Sequence, residues 1–403
     1  MGFYKQLQIK IDEGGADPSV IGGRCVCPDC FDEPGIQDFI RGNVSSDTCN
    51  FCGATNDDEV EIAADLELVL DHIVDCMRLE WDDPNNCVGW DSGEGGWQGA
   101  KIYETEEAFE AADVIVGASS GDLLDVMVEA LGLGRQFCER NPYSLRENER
   151  LIGGWYALAE RLKHETRFFF LRDDDGGNDD YVSPSEILMR LGDEVTELDL
   201  VTRIPAGTKF YRVRFQNPGE HYEMPADLGP PPAKFSTKSN RMSPPGIVMT
   251  YLAEDPNTAL AETQTGPGTY GCGVFEILRD IEVIDLSTIP VVPSLFDADR
   301  NIHRSAIRFL RDFAADVSKP IAHDDRVHVE YIPTQVITEY FREVFAKDHF
   351  PVQGLRYTSA PCPAHSSVVL FADQRDVEGT DANTECRRAP LLRLVDRSEI
   401  VVE

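Results

Sequence analysis

From residue 59 to about 81, apolar side chains recur at helical spacing. Ile62, Leu66, Val69, Leu70, Ile73, Val74 and Met77 fall on one face, which reads as a helix burying a stripe. The same period over residues 105–115, 121–139 and 143–168 predicts further amphipathic helices, so residues 60–170 read as an all-α unit. At Ser183-Pro184-Ser185-Glu186 a hydroxyl N-cap, a proline at the first helical position and a glutamate at the third start another helix. Beyond Val201 the period changes. Residues 210–214, 247–252 and 274–277 are short β-rich runs broken by Pro and Gly, with two helices near 301–316 and 334–346.

Length and pattern together predict an α+β chain of three parts: a zinc-ribbon-like module over 1–58, a helical domain over 59–195 and an α+β domain over 196–403. With 72 acidic against 37 basic residues, the net charge of -35 repels a phosphate backbone, so nucleic acid is not an expected partner. Met1-Gly2-Phe3-Tyr4-Lys5-Gln6 opens no apolar signal region, and Gln6 stands where a myristoylation signal needs Ser or Thr. No run approaches the ~18 apolar residues of a membrane span. The expectation is a cytoplasmic protein with no membrane partner, whose eleven cysteines are metal ligands or buried groups before they are disulfides.

Cys27-Pro28-Asp29-Cys30 and Cys49-Asn50-Phe51-Cys52 form two C-x2-C pairs separated by eighteen residues. Two such turns present four thiolates to one point and close a tetrahedral structural zinc shell, with Cys25 as a spare ligand. Other suggestive stretches carry less. Gly93-Glu94-Gly95-Gly96-Trp97-Gln98-Gly99 follows no apolar strand and reads as a plain loop. The run Asp173-Asp174-Asp175-Gly176-Gly177-Asn178-Asp179-Asp180 lacks glycine at the sixth position and glutamate at the twelfth position of a calcium loop and reads as a solvated linker. His323, His328 and Glu330 do not form a helical H-E-x-x-H, and His328-Val329-Glu330 reads as a strand, so no catalytic metal is expected there. No Gly-x-Ser-x-Gly and no evident Cys–His pair supports acyl transfer.

Lys209-Phe210-Tyr211-Arg212-Val213-Arg214, then Arg241-Met242-Ser243-Pro244-Pro245-Gly246, then Tyr251-Leu252-Ala253-Glu254-Asp255-Pro256-Asn257-Thr258-Ala259-Leu260-Ala261-Glu262, resemble the core of the RES family. The resemblance continues through Tyr331-Ile332-Pro333-Thr334-Gln335 and Gly354-Leu355-Arg356-Tyr357-Thr358-Ser359-Ala360. The N-terminal half resembles the zinc-containing HEPN/RES N-terminal region. These resemblances imply an ADP-ribosyltransferase-like fold, NAD as substrate, and a toxin or defence effector with a protein antitoxin or regulator as partner. They also imply that Arg212 and Arg241 are basic ligand contacts, Tyr251 an aromatic one, and Glu262 and Ser359, with Arg212, the catalytic set.

The chemistry suits those residue types. Guanidinium groups give always-charged, bidentate hydrogen bonds to a pyrophosphate. A positioned carboxylate stabilises the oxocarbenium-like centre formed when the nicotinamide–ribose bond breaks. A tyrosine face stacks on a planar ring, and a serine hydroxyl orients ribose or phosphate. Nicotinamide leaves with its positive charge neutralised, so the step needs no general acid. Arg214, Gln335 and Tyr331 read as structural neighbours. Arg161 and His164 have only two residues between them, too few for the arginine–histidine motif of HEPN ribonucleases. Three functions therefore compete: NAD cleavage with water or phosphate as acceptor, ADP-ribose transfer to a macromolecule, and a regulated binding module built on the cysteine-bearing half.

Overall fold

The computed structural model describes residues 15–56, 58, 60–171, 182–264, 266–319, 327–345 and 351–403. Residues 1–6, the acidic run at 173–180 and His323 lie outside them. The chain divides into two compact units, one of residues 1–147 with 291–307, the other of 148–290 with 308–403.

In the first unit the predicted helix appears as α1 (Leu66–Met77), started by Asp65, whose carboxylate accepts from Glu67 N. It buries Leu66, Val69, Leu70, Ile73, Val74 and Met77, the stripe expected from their spacing. Helix α2 (Leu123–Leu131) is shorter than its periodicity suggested, because Gly132 at φ 98 and Gly134 at φ 84 turn the chain out of the helix. Residues Gln136–Glu139 then form a strand between Trp81–Asp82 and Tyr103–Glu104, so the region is not all-α. The apolar pair Phe137–Cys138 looks the same in a short strand as in a buried helical turn, and the glycines decide the matter. The Gly-rich stretch makes the turn of a small hairpin in which Trp90 pairs with Trp97. Residues 291–307 complete this unit: Leu295 and Phe296 join its core, and Phe296 O lies 2.9 Å from His72 Nε2.

The second unit is built on an eight-stranded sheet of β1 (Val201–Ile204), β2 (Lys209–Gln216), β3 (Thr250–Ala253), β4 (Gly268–Ile277), β5 (Ile281–Asp285), β6 (Gly354–Thr358), β7 (Ser366–Leu370) and β8 (Leu392–Val402). The strand order is β8-β4-β2-β3-β7-β6-β5-β1, antiparallel except for β5 and β6. On one face Leu355, Tyr357 and Val369 pack with Leu151, Trp155 and Leu158 of α3 (Glu147–His164) and Ile187 and Leu191 of α4 (Pro184–Glu197). Phe309, Leu310 and Phe313 of α6 (Arg304–Val317) and Ile337 of α7 (Ile332–Tyr340) complete that layer. Between α4 and α6 in the chain lies α5 (Pro256–Thr263). Phe210, Leu252, Phe275, Val368 and Leu370 point to the opposite face. The start of α4 is as the sequence predicts, with Ser183 accepting from Glu186 N. His328-Val329-Glu330 is helical rather than extended, since Tyr331 N closes a turn on Val327 O just ahead of α7.

One glycine of the C-terminal motif is explained by close approach. A Cβ at Gly354 would stand 2.3 Å from Val369 O on the neighbouring strand, and main chain cannot move aside cheaply. Gly354→Ala is therefore expected to destabilise the protein by about 1–3 kcal/mol, through overpacking. A lowered urea midpoint at unchanged slope would report it.

Candidate active site

Asp255 begins the construction of the site. As N-cap of α5 it accepts from Asn257 N and Thr258 N, and Pro256 takes the first helical position, where no N–H is needed. Burial raises the Asp255 carboxyl, but the Thr258 hydroxyl and N–H outweigh it and hold the group below its usual range. Thr258 and Ala259 are the helix's buried residues, and Glu262 stands one turn beyond them on the same stripe. It meets the sheet beside β3 and β7. Ser359, just past β6 and fully buried, donates to Glu262 Oε1 at 2.6 Å. Glu262 is nevertheless exposed as a residue, so it is a carboxylate anchored from below and open from above.

Tyr251 on β3 faces the same side. Its hydroxyl accepts from Met242 N at 3.2 Å and is hydrogen-bonded to Ser243 Oγ at 2.9 Å, which fixes the loop carrying Arg241. Arg241 donates to Val317 O at 2.6 Å, on the last residue of α6, and to Lys319 O at 2.9 Å just beyond it, and its guanidinium lies 5.5 Å from the Tyr331 ring centre. Gln335 donates to Ser239 Oγ at 2.8 Å and Asn240 O at 2.7 Å, and Thr334 Oγ1 donates to Arg241 O. Burial, opposed by the Ser243 hydroxyl and the Met242 N–H, pushes the Tyr251 phenol up to about 12. Buried Tyr357 is pushed up further, first by desolvation and then by the charge of Glu262.

Arg212 is elsewhere. Successive residues of β2 alternate between faces, and Tyr211 and Val213 point toward the helices. Arg212 and Arg214 therefore lie on the opposite face, across from Gly273 and Gly271. Arg212 Nη1 donates to Leu228 O at 2.5 Å and Gly229 O at 2.9 Å, and Arg214 Nη1 donates to Asp227 O at 2.7 Å. Burial, with Arg214 adding to it, lowers the Arg212 guanidinium to about 10, which leaves it charged at neutral pH. The structure thus gathers Arg241, Tyr251, Glu262 and Ser359 on one face and separates Arg212 from them. Sequence reading passed over Ser367, Tyr357 and Ser243. The one available signal was the pair Ser366-Ser367 opening an otherwise apolar strand.

The four cysteines converge as their spacing predicts, with all Sγ atoms within 4.8 Å of one another. Separations of 3.5, 3.6 and 3.8 Å match the edge of a tetrahedron with bonds of about 2.3 Å, so the set could hold zinc. Cys25 is not in that group; its N–H donates to Asn50 Oδ1 at 2.7 Å. Burial raises the Cys30 thiol to about 12, whereas main-chain N–H groups of Cys52, Phe51 and Cys27 overcome burial at Cys49 and bring it to about 7.

Residues 209–391 match the family described as RES domain, a span holding Arg212, Arg241, Tyr251, Glu262 and Ser359. The chain carries a RES domain. Residues 42–176 match the family described as HEPN/RES N-terminal domain 1, which includes Cys49 and Cys52 but begins after Cys27 and Cys30. No curated protein and no solved structure matches the chain. At family level the RES domain goes with NAD-processing enzymes of toxin and defence type. Among the described residues no helix is long and apolar enough to cross a membrane.

Tyr251 yields a pH prediction. Its folded-state value lies above the ordinary 10, so its contribution is complete below pH 10 and is lost as pH rises toward 12. Tyr251→Phe is expected to cost about 1–2 kcal/mol near pH 8, from the orphaned Met242 N–H and Ser243 hydroxyl. Urea titrations should find the gap between wild type and variant closing as pH climbs above 10.

Proposed function

We infer that this protein degrades NAD by breaking the nicotinamide–ribose bond, with Glu262 as the catalytic carboxylate. The observation that carries the reading is the Glu262–Ser359 pair: a solvent-open carboxylate whose one oxygen is pinned by a fully buried hydroxyl. As the C–N bond breaks, its electron pair neutralises the nicotinamide ring nitrogen and positive charge passes to the ribose. A fixed carboxylate on that side stabilises this charge without reorganising. Water then gives ADP-ribose and a proton, or phosphate gives ADP-ribose 1-phosphate. Tyr251 and Arg241, on the same face, are assigned to the ligand's planar and anionic parts. Arg212 is assigned to the framework, holding the Leu228–Gly229 turn.

Zinc is assigned to Cys27, Cys30, Cys49 and Cys52 as a structural ion. Four thiolates fill a tetrahedral shell and leave no position for substrate, so the ion would supply folding free energy rather than catalysis. Elemental analysis of the purified chain should find about one zinc per molecule. Cys30→Ser should lose it and melt at a lower temperature.

The activity is tested by incubating folded wild type and Glu262→Gln with NAD, with and without phosphate, and resolving products by mass. Wild type is expected to release nicotinamide, and Glu262→Gln to be slower on the order of 100-fold or more. The co-product identifies the acceptor, and ADP-ribose found attached to a macromolecule would replace this reading with transfer. Intact NAD in both reactions would overturn it.

A further inference from the structure

Ser367 lies in the second position of β7, ahead of Val368, Val369 and Leu370, and is 3% exposed. Its register partners are Ala253 on β3 and Tyr357 on β6, which puts its side chain on the Glu262 face of the sheet. A hydroxyl enclosed in a strand core costs stability unless it is hydrogen-bonded. Among the described residues the Ser367 hydroxyl has one hydrogen-bond partner, Glu262 Oε1 at 3.4 Å. The same oxygen receives Ser359 Oγ at 2.6 Å.

We propose that Ser367 is a positioning residue, forming with Ser359 a two-hydroxyl cradle that holds Glu262 Oε1 and commits Oε2 to the ribose of the substrate. The inference rests on the NAD reading above. One hydroxyl alone leaves the carboxylate free to rotate about that bond, whereas two, one from the end of β6 and one from within β7, fix its plane. The 3.4 Å separation is slack for an O–H···O bond. Such contacts are often long before substrate binds and tighten on the reaction path. The second hydroxyl therefore acts on the transition state rather than on binding.

The test uses the full chain and two readouts. In NAD turnover, Ser367→Ala is expected to lower kcat on the order of 10-fold with KM within about twofold, the signature of an interaction made in the transition state. In urea unfolding, Ser367→Ala and Glu262→Ala are combined in a double-mutant cycle. The serine's effect on the unfolding constant should shrink by about threefold or more once the carboxylate is gone. Unchanged kcat, or a loss carried by KM, overturns the proposal, and so does additive behaviour in the cycle. If wild type fails to turn over NAD, the NAD reading falls, and the cycle alone still decides whether Ser367 holds Glu262.

Discussion

Strand β7 is buried along its whole length, and its pairing with β3 on one side and β6 on the other decides which residue of each strand faces the helices. Because side chains alternate strictly, a slip of one residue would turn Ser367 and Val369 away from the helical layer and bring Val368 and Leu370 into it. The register is held by hydrophobic burial on both faces and by the close approach at Gly354, where only a hydrogen fits against Val369 O. The site inherits its accuracy from this pairing, since Ser359 follows β6, Ser367 lies on β7 and Tyr251 lies on β3.

On that rigid floor α5 supplies the one open group. The helix starts where Asp255 and Pro256 dictate, sits on the sheet through Thr258 and Ala259, and delivers Glu262 a turn later. Strands β2 and β3 share a single registered pair, Tyr211 with Ala253, so the two halves of the sheet are least tied where α5 packs. A carboxylate in this position need not be buried to be ordered. Its anchor is buried instead, which leaves the reacting oxygen in reach of a ligand.

Two concavities among the described residues of the second unit are lined by residues other than Glu262. One, lined by Gln216, Tyr222, Leu228 and Arg397 among others, is on the Arg212 face. The other runs between Pro231–Pro232, Arg342 and Arg375. Neither brings a carboxylate and a buried hydroxyl together as α5 and β6 do. The chemistry of Glu262 and Ser359 therefore locates the site better than the shape of the surface.

Much of this was legible in the chain. The apolar stripe of α1, the cap at Ser183, the two C-x2-C turns and the β-rich runs after Val201 are local signals, because periodicity, capping and turn chemistry act between residues a few positions apart. The ends of α2 and the helical turn at Val327–Glu330 were less legible, since short apolar segments suit either structure until glycines and neighbours choose. The faces of the sheet were not legible at all. Tyr211 and Arg212 are adjacent in the sequence, and only the pairing of β2 with β3 and β4 sends one toward the helices and the other toward the Leu228–Gly229 carbonyls. The meeting of Glu262 with Ser359 and Ser367 joins residues 97 and 105 positions apart. Sequence by itself determined which groups could do chemistry; the tertiary register decided which of them meet, because contact across a sheet depends on strand pairing and not on distance along the chain.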